Sequence, residues 1–229
     1  MIELAPEGFE EAEDGQSVEF VAYDQAARSV IAAFPGAAVS EVADDWDQRW
    51  RQFHRPVEIG PLWVGPPWQS PPAGRIAVVI DPGRAFGTGA HATTRLCLEL
   101  LLAERRGGVV DLGCGSGVVA VAAAALGFAP VLALDLDPVA VEVARVNARA
   151  NGVEVAVEEA DVCTVELPVA GLAIANIARD VVCGLAGRLR SPRLIASGYR
   201  SEDRADISGF ASQERRVLDG WAAELFVAR

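Results

Sequence analysis

The chain has 229 residues, 51% of them hydrophobic and 23% charged, with a formal net charge of -12 and four cysteines. That balance argues against nucleic-acid backbone as the main ligand, because such binding draws on Lys and Arg to neutralise phosphates; a basic protein partner is easier to accommodate. There is no apolar run of membrane-spanning length and no basic-then-apolar leader at Met1, so the expectation is a cytoplasmic globular protein without membrane attachment. The cysteines, at 97, 114, 163 and 183, have neither zinc-site spacing nor a redox CxxC, and are expected to be reduced structural thiols with no metal.

In chain order, residues 1–45 read as a small acidic appendage, with a strand at 17–23 and a helix at 24–34 before the turn pair Pro35-Gly36. Trp46, Trp50 and Phe53 share one helical face. Residues 46–74 therefore read as a Trp- and Pro-rich linker, its aromatics, Trp63 and Trp68 among them, taken for packing. Residues 75–229 form the main domain. From residue 108 apolar runs alternate with helical stretches: strand 108–112, helix 117–126, strand 130–136, helix 138–151. This order implies an α/β fold with a mostly parallel, doubly wound sheet. Further strands are expected at 172–175, 193–196 and 221–227, the last returning antiparallel after Asp219-Gly220.

Three segments carry the chemistry. In VVDLGCGSG, residues 109–117, a buried strand ends near Asp111 and opens through Gly113, Gly115 and Gly117 into a helix, a turn that lets backbone approach a nucleotide-like ligand. In ALDLDP, residues 133–138, Asp135 stands 22 positions after Gly113, where a carboxylate accepts from adenosine ribose hydroxyls. A dinucleotide fingerprint would want glycine where Val118 stands, and Asp111 would repel a pyrophosphate. S-adenosylmethionine, which has no phosphate and carries cationic groups, fits better. In LAIANIARD, residues 172–180, Asn176 ends a strand and can hold an acceptor amine for in-line displacement; a helix N-cap is its other reading.

With DPGRAFGTGAHATTRLCLELL (residues 81–101) and IANIA added in order, the chain from Trp46 onward resembles the bacterial PrmA family, which methylates the eleventh protein of the large ribosomal subunit. The resemblance implies the seven-stranded, Rossmann-like fold of class I S-adenosylmethionine-dependent methyltransferases. It also implies that Thr94, Gly113, Asp135 and Asn176 contact the methyl donor, with Asp111, Gly115, Gly87 and Thr88 completing that surface. Phe86, His91 and Asn176 then form the catalytic group, His91 as a positioning residue more than a base, in the loop 86–91 that closes over the donor. The implied activity is methyl transfer to lysine side chains or the N-terminal amine of that basic ribosomal protein. The first 45 residues look like part of a ferredoxin-like, substrate-gripping domain, which leaves open another protein or a small amine as acceptor. From other classes, a nicotinamide-dependent oxidoreductase and a noncatalytic nucleoside-binding module also stay open.

Overall fold

The computed structural model describes residues 10–13, 18–21, 55–81, 87 and 89–229. By compactness the chain divides into Met1–Arg49 and Trp50–Arg229. In the first unit, β1 (Glu10–Glu13) and β2 (Val18–Val21) pair antiparallel, Glu10 opposite Val21 and Glu13 opposite Val18. The second strand falls within the expected stretch 17–23. The helices expected at 24–34 and around Trp46, Trp50 and Phe53 lie outside the described residues.

The second unit begins with a three-stranded sheet. In it β3 (Val57–Ile59) pairs antiparallel with β4 (Leu62–Gly65), and β4 pairs parallel with β5 (Ile76–Val79). The Pro- and Gly-rich stretch read as linker thus carries two strands here. Ile59, Leu62 and Val64 from these strands join the main core, and Trp63 is 2% exposed. Burial of these side chains favours strand over the extended linker that Pro and Gly alone would suggest.

The main sheet has seven strands: β6 (Val109–Leu112), β7 (Val131–Asp135), β8 (Ala156–Glu159), β9 (Leu172–Asn176), β10 (Arg193–Arg200), β11 (Phe210–Leu218) and β12 (Trp221–Ala228). Their spatial order is β11-β12-β10-β9-β6-β7-β8. The run from β8 to β10 is parallel, and β12 and β11 are antiparallel to their neighbours. Asp219 (φ 49°) and Gly220 (φ 75°) make the two-residue turn that reverses the chain between β11 and β12. The expected α/β fold and the antiparallel return of the last strand are both present.

One face of the sheet is covered by α1 (Ala92–Leu102), α2 (Val118–Ala125) and α3 (Pro138–Ala150); the other carries α4 (Arg179–Gly184) and connecting segments. Helix α2 is apolar all round, as a helix sandwiched in a core must be, with Val118 through Ala123 buried. Helix α3 has one buried face, carrying Ala140, Val141, Ala144, Asn147 and Ala148. Elements not foreseen as such include β1, β5, α1 and the largely exposed, charge-bearing strand β11. Strand β8 was missed as well.

Candidate active site

The site is assembled where the parallel strands end. Past β6 the chain turns through Gly113 (φ 77°), a left-handed conformation that glycine takes without strain. A methyl group there would lie 2.4 Å from the side chain of Ile177, which follows β9, so the turn closes only with glycine. Gly117 (φ 78°) opens α2 while lying against Ala144 of α3, where a side chain would meet Ala144 Cβ at 2.9 Å. The turn is fastened to the next strand: the backbone N–H groups of Gly113 and Cys114 both donate to Leu134 O, at 2.8 and 3.0 Å.

Asp135, at the tip of β7, accepts from Gly115 N at 2.8 Å through Oδ2 and from Asp137 N at 3.0 Å through Oδ1. Each oxygen keeps a lone pair, so the carboxylate is held in orientation and can still accept from a pair of hydroxyls. Asp137, as expected, takes the N-cap role for α3, accepting from Val139 N at 2.8 Å with Pro138 following.

Asp111 is 2% exposed, and its Oδ2 has no hydrogen-bond partner. Burial pushes the carboxyl up to about 7; a hydrogen bond from the Ala120 backbone opposes the shift and the charge of Asp135 adds to it. Its neighbours Cys97 and Cys114 are also raised, each chiefly by burial and next by the charge of Asp111. All four cysteines are outside disulfides; Cys97 and Cys114 are buried and Cys163 is exposed.

Across the cleft, Asn176 at the end of β9 donates through Nδ2 to Thr94 Oγ1 at 3.4 Å, a long bond between β9 and the first turn of α1. That leaves Asn176 Oδ1 as an available acceptor. The alternative N-cap role for Asn176 does not arise, since α4 is capped by Ala178. His91 is itself an N-cap: its Nδ1 lies 2.7 Å from Thr93 Oγ1 and accepts from Thr93 N at 3.4 Å. Its ring meets Trp221 edge-on, centroids 4.9 Å apart. The imidazole thus fixes the start of the helix that carries Thr94.

Gly87, Thr94, Asp111, Gly113, Gly115 and Asn176 line a common cleft. Asp135 reaches it through its bond to Gly115. Phe86 and Thr88 lie outside the described residues. A wider hollow, bounded by Pro130, Val131, Arg145, Val155 and Val157, lies at the opposite, amino-terminal ends of β7 and β8. It contains no side-chain polar atom left buried without a partner, and parallel α/β sheets bind ligands at the carboxyl ends.

The sequence reading missed Ser116, Asn147 and Trp221. Ser116 is fully buried and donates to Gly87 O at 2.5 Å, tying the glycine-rich turn to residue 87. Asn147, 2% exposed, donates to Ser116 O at 2.9 Å and accepts from Asp81 N at 3.2 Å. The signal for it was present: two asparagines four apart, 147 in and 151 just after a helix built mainly of Ala and Val.

The sequence pattern described as "Ribosomal protein L11 methyltransferase (PrmA)" matches residues 11–222. The chain belongs to this family. Among members of the PrmA family, the ribosomal protein L11 methyltransferase of Symbiobacterium thermophilum is 42% identical over 168 residues, covering 68% of this chain and 54% of that protein. The one from Caldicellulosiruptor saccharolyticus is 41% identical over 177 residues, covering 73% and 59%. The chain therefore spans little more than half the length of these curated relatives. A crystal structure titled as a ribosomal protein L11 methylase from Lactobacillus delbrueckii subsp. bulgaricus superposes with a TM-score of 0.68 at 25% identity, over 77% of this chain and all of that one. The seven-stranded sheet described above is the fold of class I methyltransferases.

Proposed function

We propose that this chain is an S-adenosylmethionine-dependent methyltransferase that modifies amines, lysine side chains or the amino terminus, of the basic ribosomal protein named in its family. The observation that carries this reading is the unpartnered, buried Oδ2 of Asp111 in the same cleft as Asn176. A buried carboxyl without a partner is costly, and a cationic ligand group removes the cost. The same carboxyl disfavours a dinucleotide, whose pyrophosphate would bring more negative charge to the turn.

The residues present fit the donor. Asp135, held by Gly115, would take the ribose hydroxyls, and Asp111 the positively charged amino-acid end. Gly113, Gly115 and Thr94, with Gly87 and Thr88, would cradle the rest. Bound there, S-adenosylmethionine supplies a methyl group on a positively charged sulfur, an electrophile that needs no acid to release its leaving group.

The protein's part is then to present a neutral amine. With Nδ2 directed at Thr94, the Oδ1 of Asn176 accepts one N–H of the incoming amine and aims its lone pair into the cleft. Lysine begins near a pKa of about 10.4, and desolvation together with a nearby positive charge lowers it, so water can take the proton and no dedicated base is required. His91 acts through α1, whose first turn it caps, and Phe86 would shape the wall on the acceptor side.

The test is transfer of tritiated methyl from S-adenosylmethionine to purified large-subunit ribosomal protein, with calorimetry of S-adenosylhomocysteine and NAD alongside. Label on lysine or the amino terminus, rising with pH above neutrality, and binding of the homocysteine but not NAD are expected. Asn176→Ala should lower kcat by about 10²-fold while altering donor affinity little. Binding of NAD in preference would overturn the reading.

A further inference from the structure

Two residues beyond Asn176, starting at Ala178, a second, shallow hollow opens where the chain leaves β9 and β10. Its walls include Ala178, Arg179, Asp180, Arg200, Asp203 and Trp221. It is continuous with the reaction site in the chain: Asn176 pairs with Ser197, and Gly198 (φ 101°) is pressed so close to Ile177 that a methyl group would lie 2.1 Å from its carbonyl oxygen. Trp221 in turn touches His91, the cap of the helix that carries Thr94.

Both cation-binding features of this hollow are filled by arginines of the chain itself. The Arg200 guanidinium carbon stands 4.6 Å from the Trp221 ring centroid. Arg179 spans two carboxylates, Asp180 at 3.1 Å and Asp203 at 3.2 Å, and all three side chains are at least 40% exposed. Solvent-screened pairs of this kind exchange partners at little cost. A cation arriving from outside would displace these arginines to reach the aromatic face and the two carboxylates.

We propose that this hollow docks an arginine or lysine side chain that neighbours the methylated amine in a basic protein acceptor, Asp180 and Asp203 taking its charge and Trp221 its stem. The assignment of a neighbouring residue, rather than the reacting amine, follows from acid–base chemistry: a carboxylate beside an amine raises its pKa and keeps it protonated, which blocks its attack. The identity of the reacting amine rests on the methyltransferase reading above; the hollow's taste for a cation does not. Acceptors would then be selected by a basic residue next to the target, a demand that the uncharged side chains of Asn176 and Thr94 cannot impose.

The experiment is calorimetric titration, with S-adenosylhomocysteine present, of a short peptide bearing one lysine beside one arginine, and of its twin with citrulline in place of arginine. Replacing arginine by citrulline is expected to weaken binding about tenfold, and the double substitution Asp180→Asn with Asp203→Asn to weaken it equally, with no further loss when both changes are combined. Affinity for S-adenosylhomocysteine, measured on the same variant, reports whether its donor pocket is intact. Arg200→Gln, which removes the resident cation from the ring, is expected to tighten binding about threefold. Losses that simply add, a variant that binds both peptides like the unaltered protein, a weaker Arg200→Gln complex, or no binding of the arginine peptide at all would each overturn the proposal. Peptide bound through these carboxylates without methyl transfer to any acceptor would sink the functional reading and leave the hollow's role standing; transfer by a carboxylate variant that binds peptide as before would do the reverse.

Discussion

On the proposed reading, Asp111 is the residue at which folding and ligand binding would compete. Its carboxyl ordinarily titrates near 3.8 and is pushed up to about 7 by burial in the core beneath the glycine-rich turn. Between those values the folded, ligand-free protein holds a proton that the unfolded chain has released. Stability attributable to this group therefore falls as pH rises through the window and reaches its low plateau above about 7. Asp111→Asn keeps the shape and removes the titration. The expected outcome is that the variant gains on the parent with rising pH, by a few kcal/mol in all, when urea midpoints are compared at about pH 5 and about pH 8. Ligand binding runs the other way, since a cationic amino group favours the ionised carboxyl. The affinity of the parent for S-adenosylhomocysteine should climb up to about tenfold per pH unit below about 7 and level off above it, a slope absent from the variant. Equal slopes in the two proteins would mean that Asp111 does not face the ligand's charge.

At the scale of elements, the small sheet shares the main core, and two asparagines of the α3 region add hydrogen bonds that fasten it. Asn151, at the end of α3, accepts from Val79 N at 2.7 Å and donates to Val79 O at 2.6 Å, so one amide stands in for a neighbouring strand along β5. Asn147, one turn earlier, joins Asp81 to Ser116 in the glycine-rich turn. Asn151→Ala leaves both polar groups of Val79 without their partner and should cost about 1–3 kcal/mol in chemical denaturation. Asn147→Leu should cost a similar amount and, in addition, weaken S-adenosylhomocysteine binding, because only Asn147 touches the turn; a loss of stability alone would deny it that positioning role. These bonds explain what could and could not be read from the sequence. The strand–turn–helix from 109 to 126 and Asp135 were legible because backbone geometry and spacing determine them locally. Helix α1 was hidden because its first turn, Ala92, Thr93 and Thr94, borders a Gly-rich stretch, and its start depends on the His91 cap. Strand β11 was hidden because SQERR looks like loop; it is held by pairing with β12 and by Arg215 bonding to the buried Glu224 at 2.5 Å. The cleft's cross-chain contacts, Asn176 to Thr94 and Ser116 to Gly87, join residues 82 and 29 positions apart, which no local pattern encodes.

At the scale of the whole molecule, the net charge of -12 and the strand ends that present Asn176, Trp221 and the Asp180/Asp203 pair would act together on the proposed basic acceptor. The field of an acidic protein raises the local concentration of a cationic partner, and salt screens it over a Debye length of about 8 Å near physiological strength. Donor binding as proposed would be insulated from that field, because Asp111 is buried and would meet the ligand's charge at short range. Raising sodium chloride from about 0.05 to about 0.5 M should therefore raise the KM for the basic acceptor several-fold while leaving the Kd for S-adenosylhomocysteine within about twofold. Asp180→Asn with Asp203→Asn should reduce this salt dependence but not abolish it, since those two carboxylates supply only part of the charge excess. Initial-rate measurements over the salt series, with calorimetry at its two ends, separate the terms. An acceptor KM that ignores salt in both proteins would mean that contact within the cleft alone selects the substrate, and that the acidity of the chain serves solubility instead.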